Sequence, residues 1–197
     1  MGKFTKIPQS TFDEIQLDAG VLSTEFDPEH PEQFTVDKII CATTGGIQIS
    51  SVPSFSDFGE DVDNVPNNML EFKHKDSEEN KISTTALGTS PKMIKLALGC
   101  AEIDDSNTAT KIVPRRDVKT SDFKSIWWIG DKTNGGYVAV QLKNALSTGG
   151  YSLQTGKNAK GQTSLEFTGH TSIQNQDDSS IEFYVFDPEP TKPDTGA

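Results

Sequence analysis

The sequence predicts a mainly β fold: a β-sandwich or barrel with one flanking short α-helix and a long inter-strand loop. Three observations predict it. Apolar and polar residues alternate with period two in several separate stretches, the pattern of half-buried strands. Clusters of Gly, Asn, Asp and Ser punctuate those stretches as turns. A single segment carries apolar residues at helical spacing behind a capping residue.

The elements follow in chain order. Val36 to Thr43 is a short apolar run, and Ile47-Gln48-Ile49-Ser50 alternates, so Gly45-Gly46 between them reads as a tight hairpin. Pro53 to Met69 has no clean period and reads as a long loop, of the kind that is usually functional. Leu70, Phe72 and His74 alternate with Glu71, Lys73 and Lys75. Ile82, Thr84 and Ala86 resume after a polar break at Asp76 to Asn80, which reads as a second hairpin. Ser90 is placed to cap a helix over residues 90–100 with Pro91 at its first position. Met93, Leu96, Ala97 and Cys100 share one face of it, and Gly99 is a terminator. Phe123 to Ile129, with Trp127-Trp128, is apolar on both sides and reads as a strand buried on both faces. Val138, Val140 and Leu142, then Leu165 and Phe167, then Ile181, Phe183 and Val185 mark three more alternating strands. The organisation expected is an N-terminal arm (1–35), a β domain (36–187) and a Pro-rich C-terminal tail (188–197).

Composition narrows the function classes. The chain has 197 residues, 33% of them hydrophobic, and a net charge of −11. Met1 to Gln9 is followed by no apolar core, so no signal peptide is expected, and no apolar run reaches the roughly 20 residues of a membrane span. Folding in the cytoplasm, with no membrane partner, is the expectation. Cys41 and Cys100 match no metal or redox spacing and are expected to be buried free thiols.

Charge is unevenly spread. Residues 11–37 hold eight acids (Asp13, Glu14, Asp18, Glu25, Asp27, Glu29, Glu32, Asp37) and no Lys or Arg. Residues 53–80 hold eight acids against Lys73 and Lys75, whereas residues 111–161 hold nine bases against Asp117, Asp122 and Asp131. Such polarity suits a head-to-tail polymer, in which opposite potentials fix register. It does not suit tight duplex binding, which needs clustered Lys and Arg.

Catalytic and metal motifs are missing from the sequence. Thr155-Gly156-Lys157-Asn158 lacks the spacing of a phosphate loop, and Asp131 to Gly135 lacks the acids of a calcium loop; both read as turns. His30, His74 and His170 are widely separated in polar surroundings. The acid pairs Glu60-Asp61 and Asp104-Asp105 suit solvated charge better than glycoside chemistry, and Trp127-Trp128 suits a core better than a sugar platform. No enzyme activity, cofactor or metal is expected.

A resemblance sharpens this. Gly135-Gly-Tyr-Val-Ala-Val-Gln-Leu142, Gly149-Gly-Tyr-Ser-Leu-Gln-Thr-Gly-Lys157 and Gly161-Gln-Thr-Ser-Leu-Glu-Phe-Thr-Gly-His170 stand in order before Ile181-Glu-Phe-Tyr-Val-Phe-Asp187. Ala42-Thr-Thr-Gly-Gly-Ile47 and Phe55-Ser-Asp-Phe-Gly-Glu-Asp-Val-Asp63 precede them. Together these segments, across roughly residues 36–187, resemble the major tail tube proteins of long-tailed (siphophage-type) bacteriophages. The resemblance implies a structural virion protein that forms hexameric rings. The rings would stack head to tail into a tube that conducts DNA during ejection. It would be assembled in the host bacterial cytoplasm, reside in the virion tail, and meet other phage tail proteins, with DNA as passing cargo only. If each of six copies gave four strands, a barrel of about 24 strands would be about 48 Å across, wide enough for a duplex.

Three surfaces are expected to carry that role. Phe55, Phe58, Glu60, Asp61 and Asp63 lie in the loop expected to pack on a neighbouring subunit. Arg115, Arg116 and Lys119 are expected to form a basic inter-ring face. Gln141, Ser164, Glu166 and Thr168 are expected to line the channel, with Val138, Val140, Leu142, Leu165 and Phe167 turned inward. The competing reading is a monomeric β-sandwich binding or virion-decoration module, which would stay a compact monomer in solution.

Overall fold

A computed structural model describes residues 7–8, 10–106 and 108–188. The Pro-rich tail beyond Pro188 and the first six residues lie outside the described residues. In chain order the elements are α1 (Ser10–Asp13), β1 (Val21–Ser23), β2 (Ala42–Asp57), β3 (Lys73–Leu87), α2 (Pro91–Leu98), β4 (Ala101–Asp104), β5 (Lys111–Pro114), β6 (Lys124–Asp131), β7 (Tyr137–Ser147), β8 (Ser152–Gln154), β9 (Gln162–Thr168) and β10 (Ile181–Phe186). The fold is mainly β, as the alternation predicts.

One strand joins two antiparallel groups. The first part of β7 pairs with β6 and β10, and β6 pairs in turn with β1. The last residues of β7, Leu146 and Ser147, pair with β9, which leads on to β3 and β2. The two groups enclose one core, to which Ile82, Ile126, Val140, Leu142, Leu165, Phe167 and Ile181 contribute from five strands. Helix α2 closes it with Met93 and Ala97. The Ser90 hydroxyl accepts from the Met93 amide at 3.3 Å, and Gly99 ends the helix at φ 72°, as its capping residues predict. Trp127 is buried and Trp128 half-buried, so β6 is covered on both faces. Cys41 and Cys100 are free thiols but only half-buried.

Several expectations fail for identifiable reasons. Gly45-Gly46 does not turn a hairpin. Both glycines take positive φ inside β2, where the register slips between Thr44 and Ile47, and the Thr84 hydroxyl donates to the Gly46 carbonyl at 2.8 Å. The pair makes a bulge, which needs the same left-handed backbone as a turn. Asp76 to Asn80 does not interrupt β3. Pro53 to Asp57 belongs to β2, so the loop begins at Phe58, and Pro53 is tolerated because β2 is an edge strand. Val36 to Lys38 forms a single 3-10 turn rather than a strand.

The stretch before residue 36 is not separate from the sheet. Val21–Ser23 pairs with Trp127–Ile129, and Leu22 is fully buried in the core. Phe26 then folds the acidic segment over the outer side of β6 and β7, edge-on to Phe34, Trp127 and Tyr137 at 5.4–5.9 Å. The Tyr137 hydroxyl donates to the Pro28 carbonyl at 3.0 Å.

Phe167 is the largest fully buried side chain and belongs to the one core cluster that unites residues of both strand groups. Phe167→Ala should lower unfolding stability by about 3–5 kcal/mol in urea denaturation. A loss under about 1 kcal/mol would show that the two groups do not share one core.

Candidate assembly surfaces

The first surface is a hairpin arm. Strand β3 pairs with β2 along its whole length, but with β9 only over Lys81–Leu87. Residues 73–80 and their β2 partners therefore project as a two-stranded ribbon, about 26 Å long at the usual strand rise. Both faces of such a ribbon meet water, which is why its sequence is polar rather than alternating.

The base of the arm is fastened by polar contacts. Asn80 is buried; its side-chain amide donates to the Ser180 hydroxyl at 2.8 Å and to Glu78 at 2.5 Å. Glu78 also accepts from the Ser179 hydroxyl at 2.6 Å and pairs with Lys75. The Lys75 ammonium, then Ser179 and Asn80, pull the Glu78 carboxyl down to about 2. The Gly169 amide donates to the Asn80 carbonyl at 3.0 Å. This joint ties the arm to the segment before β10. No motif announced it, because its partners lie about a hundred positions apart.

The tip is built rather than loose. The Asp57 carboxylate accepts from the Asn68 amide at 2.8 Å and the Gly59 amide at 3.0 Å, and pairs with Lys73. These contacts hold its pKa below the ordinary value. Asp61, Asn64 and Asn68 take positive φ, which Asn and Asp tolerate better than other non-glycine residues. Gly59 is buried against Phe72 and Val65, where a Cβ would stand only 3.1 Å from the Phe72 ring. Yet Phe55, Phe58 and Leu70 are 58%, 64% and 83% exposed, and Glu60, Asp61 and Asp63 are exposed beside them. The structure thus brings all five expected loop residues to one end of the arm.

The second surface is the outward face of β2, β3 and β9. Gln48, Ser83 and Glu166 stand in one row; Thr44, Thr85 and Ser164 in the next; Ser50, Lys81 and Thr168 in a third. Ser164, Glu166 and Thr168 thus share a face, opposite the buried Leu165 and Phe167. Its only charged members in these rows are Lys81 and Glu166. The sequence reading omitted the β2 and β3 members, although the alternation of Ser83 and Thr85 with Ile82, Thr84 and Ala86 marks them. Gln141 does not join this face. It lies on the outer side of β6-β7-β10, opposite Trp127 and Glu182 and 3.4 Å from the Ser125 hydroxyl. Both faces turn away from the same core, so one channel wall does not hold all four residues.

The third surface changes character in three dimensions. The β4–β5 pairing sets Glu102 opposite Val113 and Asp104 opposite Lys111. Arg115 bonds Asp122 at 2.6 Å and lies 3.2 Å from Glu102, while Lys119 bonds Glu102 at 2.8 Å. The hydrogen bond that its guanidinium donates to Asp122 raises the Arg115 pKa further. Of the three bases expected to form an inter-ring face, Arg116 alone makes no ion pair among the described residues. Arg115 and Lys119 are thus neutralised, by Glu102 of the paired strand and by Asp117 and Asp122 of the same run.

No group of His, Cys, Asp and Glu that could hold a metal occurs among the described residues. No helix among them is long and apolar enough to cross a membrane.

The contacts of Asp57 make the tip pH-sensitive in a defined direction. Its folded pKa lies below the ordinary 3.8, so its contribution is complete above that value and fades as pH falls through the lowered one. Hydrogen-exchange protection of the bonded amides in residues 58–72, taken relative to the intrinsic rate at each pH, should hold at pH 5 and fall below about pH 3.8. Asp57→Ala should lower it at pH 7 without unfolding the core. Equal exchange in variant and parent would remove Asp57 from this role.

No protein-family model matches the chain, and no curated protein matches it. Among solved structures the chain is similar to one from the tail of an empty GTA particle with C6 symmetry, at 9% identity and a TM-score of 0.42. The match covers 78% of this chain and 92% of that one.

Proposed function

We propose that this chain is the building block of a bacteriophage tail tube. Hexameric rings stack head to tail, and the tube conducts DNA during ejection. Assembly takes place in the host cytoplasm, and the finished tube resides in the virion tail with other tail proteins. The observation that carries this reading is the outward face of β2, β3 and β9. It presents Gln48, Ser50, Ser83, Thr85, Ser164 and Thr168 around Glu166 and Lys81, whose charge is met by Glu79. Hydroxyl and amide groups hydrate well, and no cluster of bases is present to retain phosphates. Such a face suits a channel wall past which a polyanion must slide. Ser164, Glu166 and Thr168 line it in this reading, whereas Gln141 does not.

The arm supplies the cohesion. A folded hairpin that leaves its own core with exposed Phe55 and Phe58 has no reason to present them to water, and a neighbouring subunit would bury them. Glu60, Asp61 and Asp63 give the same contact an electrostatic address. The order of the segments across residues 36–187 supports the reading independently, through the resemblance of the sequence to tail tube proteins.

Electron microscopy and size-exclusion chromatography of the purified chain test it. Rings or tubes are expected. Replacing residues 58–72 by Asn-Gly, which suits a two-residue hairpin turn, should leave a soluble protomer with a preserved melting transition and no polymer. A compact monomer at every concentration contradicts the tube, and normal tubes from the tipless variant contradict the role of the arm.

A further inference from the structure

The two ends of the β2-β3-β9 sheet carry opposite charge. Strand β3 runs from the arm at Lys73 to Leu87, where it pairs with Gln162 at the start of β9. Across its 15 residues the strand spans roughly 50 Å. At the arm end, Glu60, Asp61, Asp63 and Glu71 are exposed, without an ion pair among the described residues. At the far end, the turn over residues 155–161 precedes β9 and contains Lys157 and Lys160 but no acid. Both lysines are exposed and unpaired among the described residues, and Asn158 holds the turn at φ 58°. Helix α2 starts at the same end, just after Leu87, and adds exposed Lys92 and Lys95.

Apolar groups match as well. The arm exposes Phe55, Phe58 and Leu70, and Leu153 of β8, beside the lysine turn, is 41% exposed. A head-to-tail contact joins two different surfaces of one protein, and this sheet carries complementary ones at its opposite ends. Other charged groups are partly engaged within the subunit: Glu25 pairs with Lys38, and Arg115 and Lys119 are neutralised by Glu102, Asp117 and Asp122.

We infer that the arm tip of one copy seats on the Lys157–Lys160 turn of a copy in the next ring. This pairing rests on the tube reading and names the two surfaces that join its rings. The acids of the tip meet Lys157 and Lys160, and Phe55 and Phe58 cover Leu153. Charge sets the register and the phenyl groups supply the burial.

Zero-length carbodiimide cross-linking of assembled protein, read by mass spectrometry, tests it directly. Peptides joining Glu60, Asp61 or Asp63 to Lys157 or Lys160 are expected in tubes and absent from dilute monomer. In parallel, Lys157→Glu with Lys160→Glu should raise the critical concentration for assembly about tenfold at low salt, where screening is weakest. Adding Glu60→Lys and Asp61→Lys should recover part of the loss. Circular dichroism should be unchanged, because both lysines sit in an exposed turn. Tubes that form with no such cross-links and an unaltered critical concentration overturn this pairing and leave the tube standing. A parent chain that never assembles overturns both.

Discussion

The pairing of β3 with β2 is the constraint on which the rest of the molecule depends. Fourteen residue pairs hold the two strands together, yet only the half of β3 from Lys81 to Leu87 finds a second partner in β9. That half is obliged to alternate, and Ile82, Thr84 and Ala86 face inward while Ser83 and Thr85 face water. The other half has no second strand beside it and, beyond the buried Asn80, stays polar. A shift of one residue in this register would send Ile82 outward and Ser83 into the core, and the polar face and the arm would both be lost. The bulge at Gly45-Gly46 belongs to the same constraint, since it absorbs the extra residues that let β2 stay paired with β3 on both sides of it.

From this pairing the polarity of the subunit follows. Because β9 stops at Thr168, the arm starts beside the segment that precedes β10, and Glu78 and Asn80 are fastened there to Ser179 and Ser180. The arm is therefore aimed by a buried polar joint rather than by a hinge of small residues. A buried amide with several partners is costly to displace, since each hydrogen bond lost leaves a polar group unsatisfied. The direction in which the arm projects is thus set by the folding of the chain itself.

Much of the fold was legible in the sequence, and the failures share a cause. Val138 to Leu142 and Leu165 to Phe167 were readable as strands because each has one buried side, whereas Ile181 to Val185 alternates although only Ile181 of its apolar side is buried and Phe183 and Val185 stand exposed. The α2 helix was readable because Ser90, Pro91 and Gly99 act locally. Gly45-Gly46 was misread because the left-handed backbone of a bulge and of a turn favour the same residue. Asp76 to Asn80 was misread because a ribbon exposed on both faces loses the period that identifies a strand. The expected site was legible in part for the same kind of reason. Phe55, Phe58, Glu60, Asp61 and Asp63 are neighbours in the chain and remain neighbours at the tip. Gln141 parted from Ser164, Glu166 and Thr168 because the sheet folds back on itself at β7, which alternation along each strand does not reveal. In the basic run, Arg115 and Lys119 lost their character to Glu102 on the paired strand and to Asp117 and Asp122 within the run, while Arg116 stays unpaired among the described residues. Charge along a chain predicts charge on a surface only where the paired strand does not cancel it.

The central claim is that the outward face of β2, β3 and β9 forms the wall of a channel. A six-fold averaged electron cryomicroscopy reconstruction of assembled protein tests it most directly. The account predicts Gln48, Ser83, Thr85, Ser164 and Glu166 facing the open channel, with Leu165 and Phe167 directly behind them in the subunit core. A reconstruction in which that face is buried against another subunit or turned to the outside of the tube would contradict it.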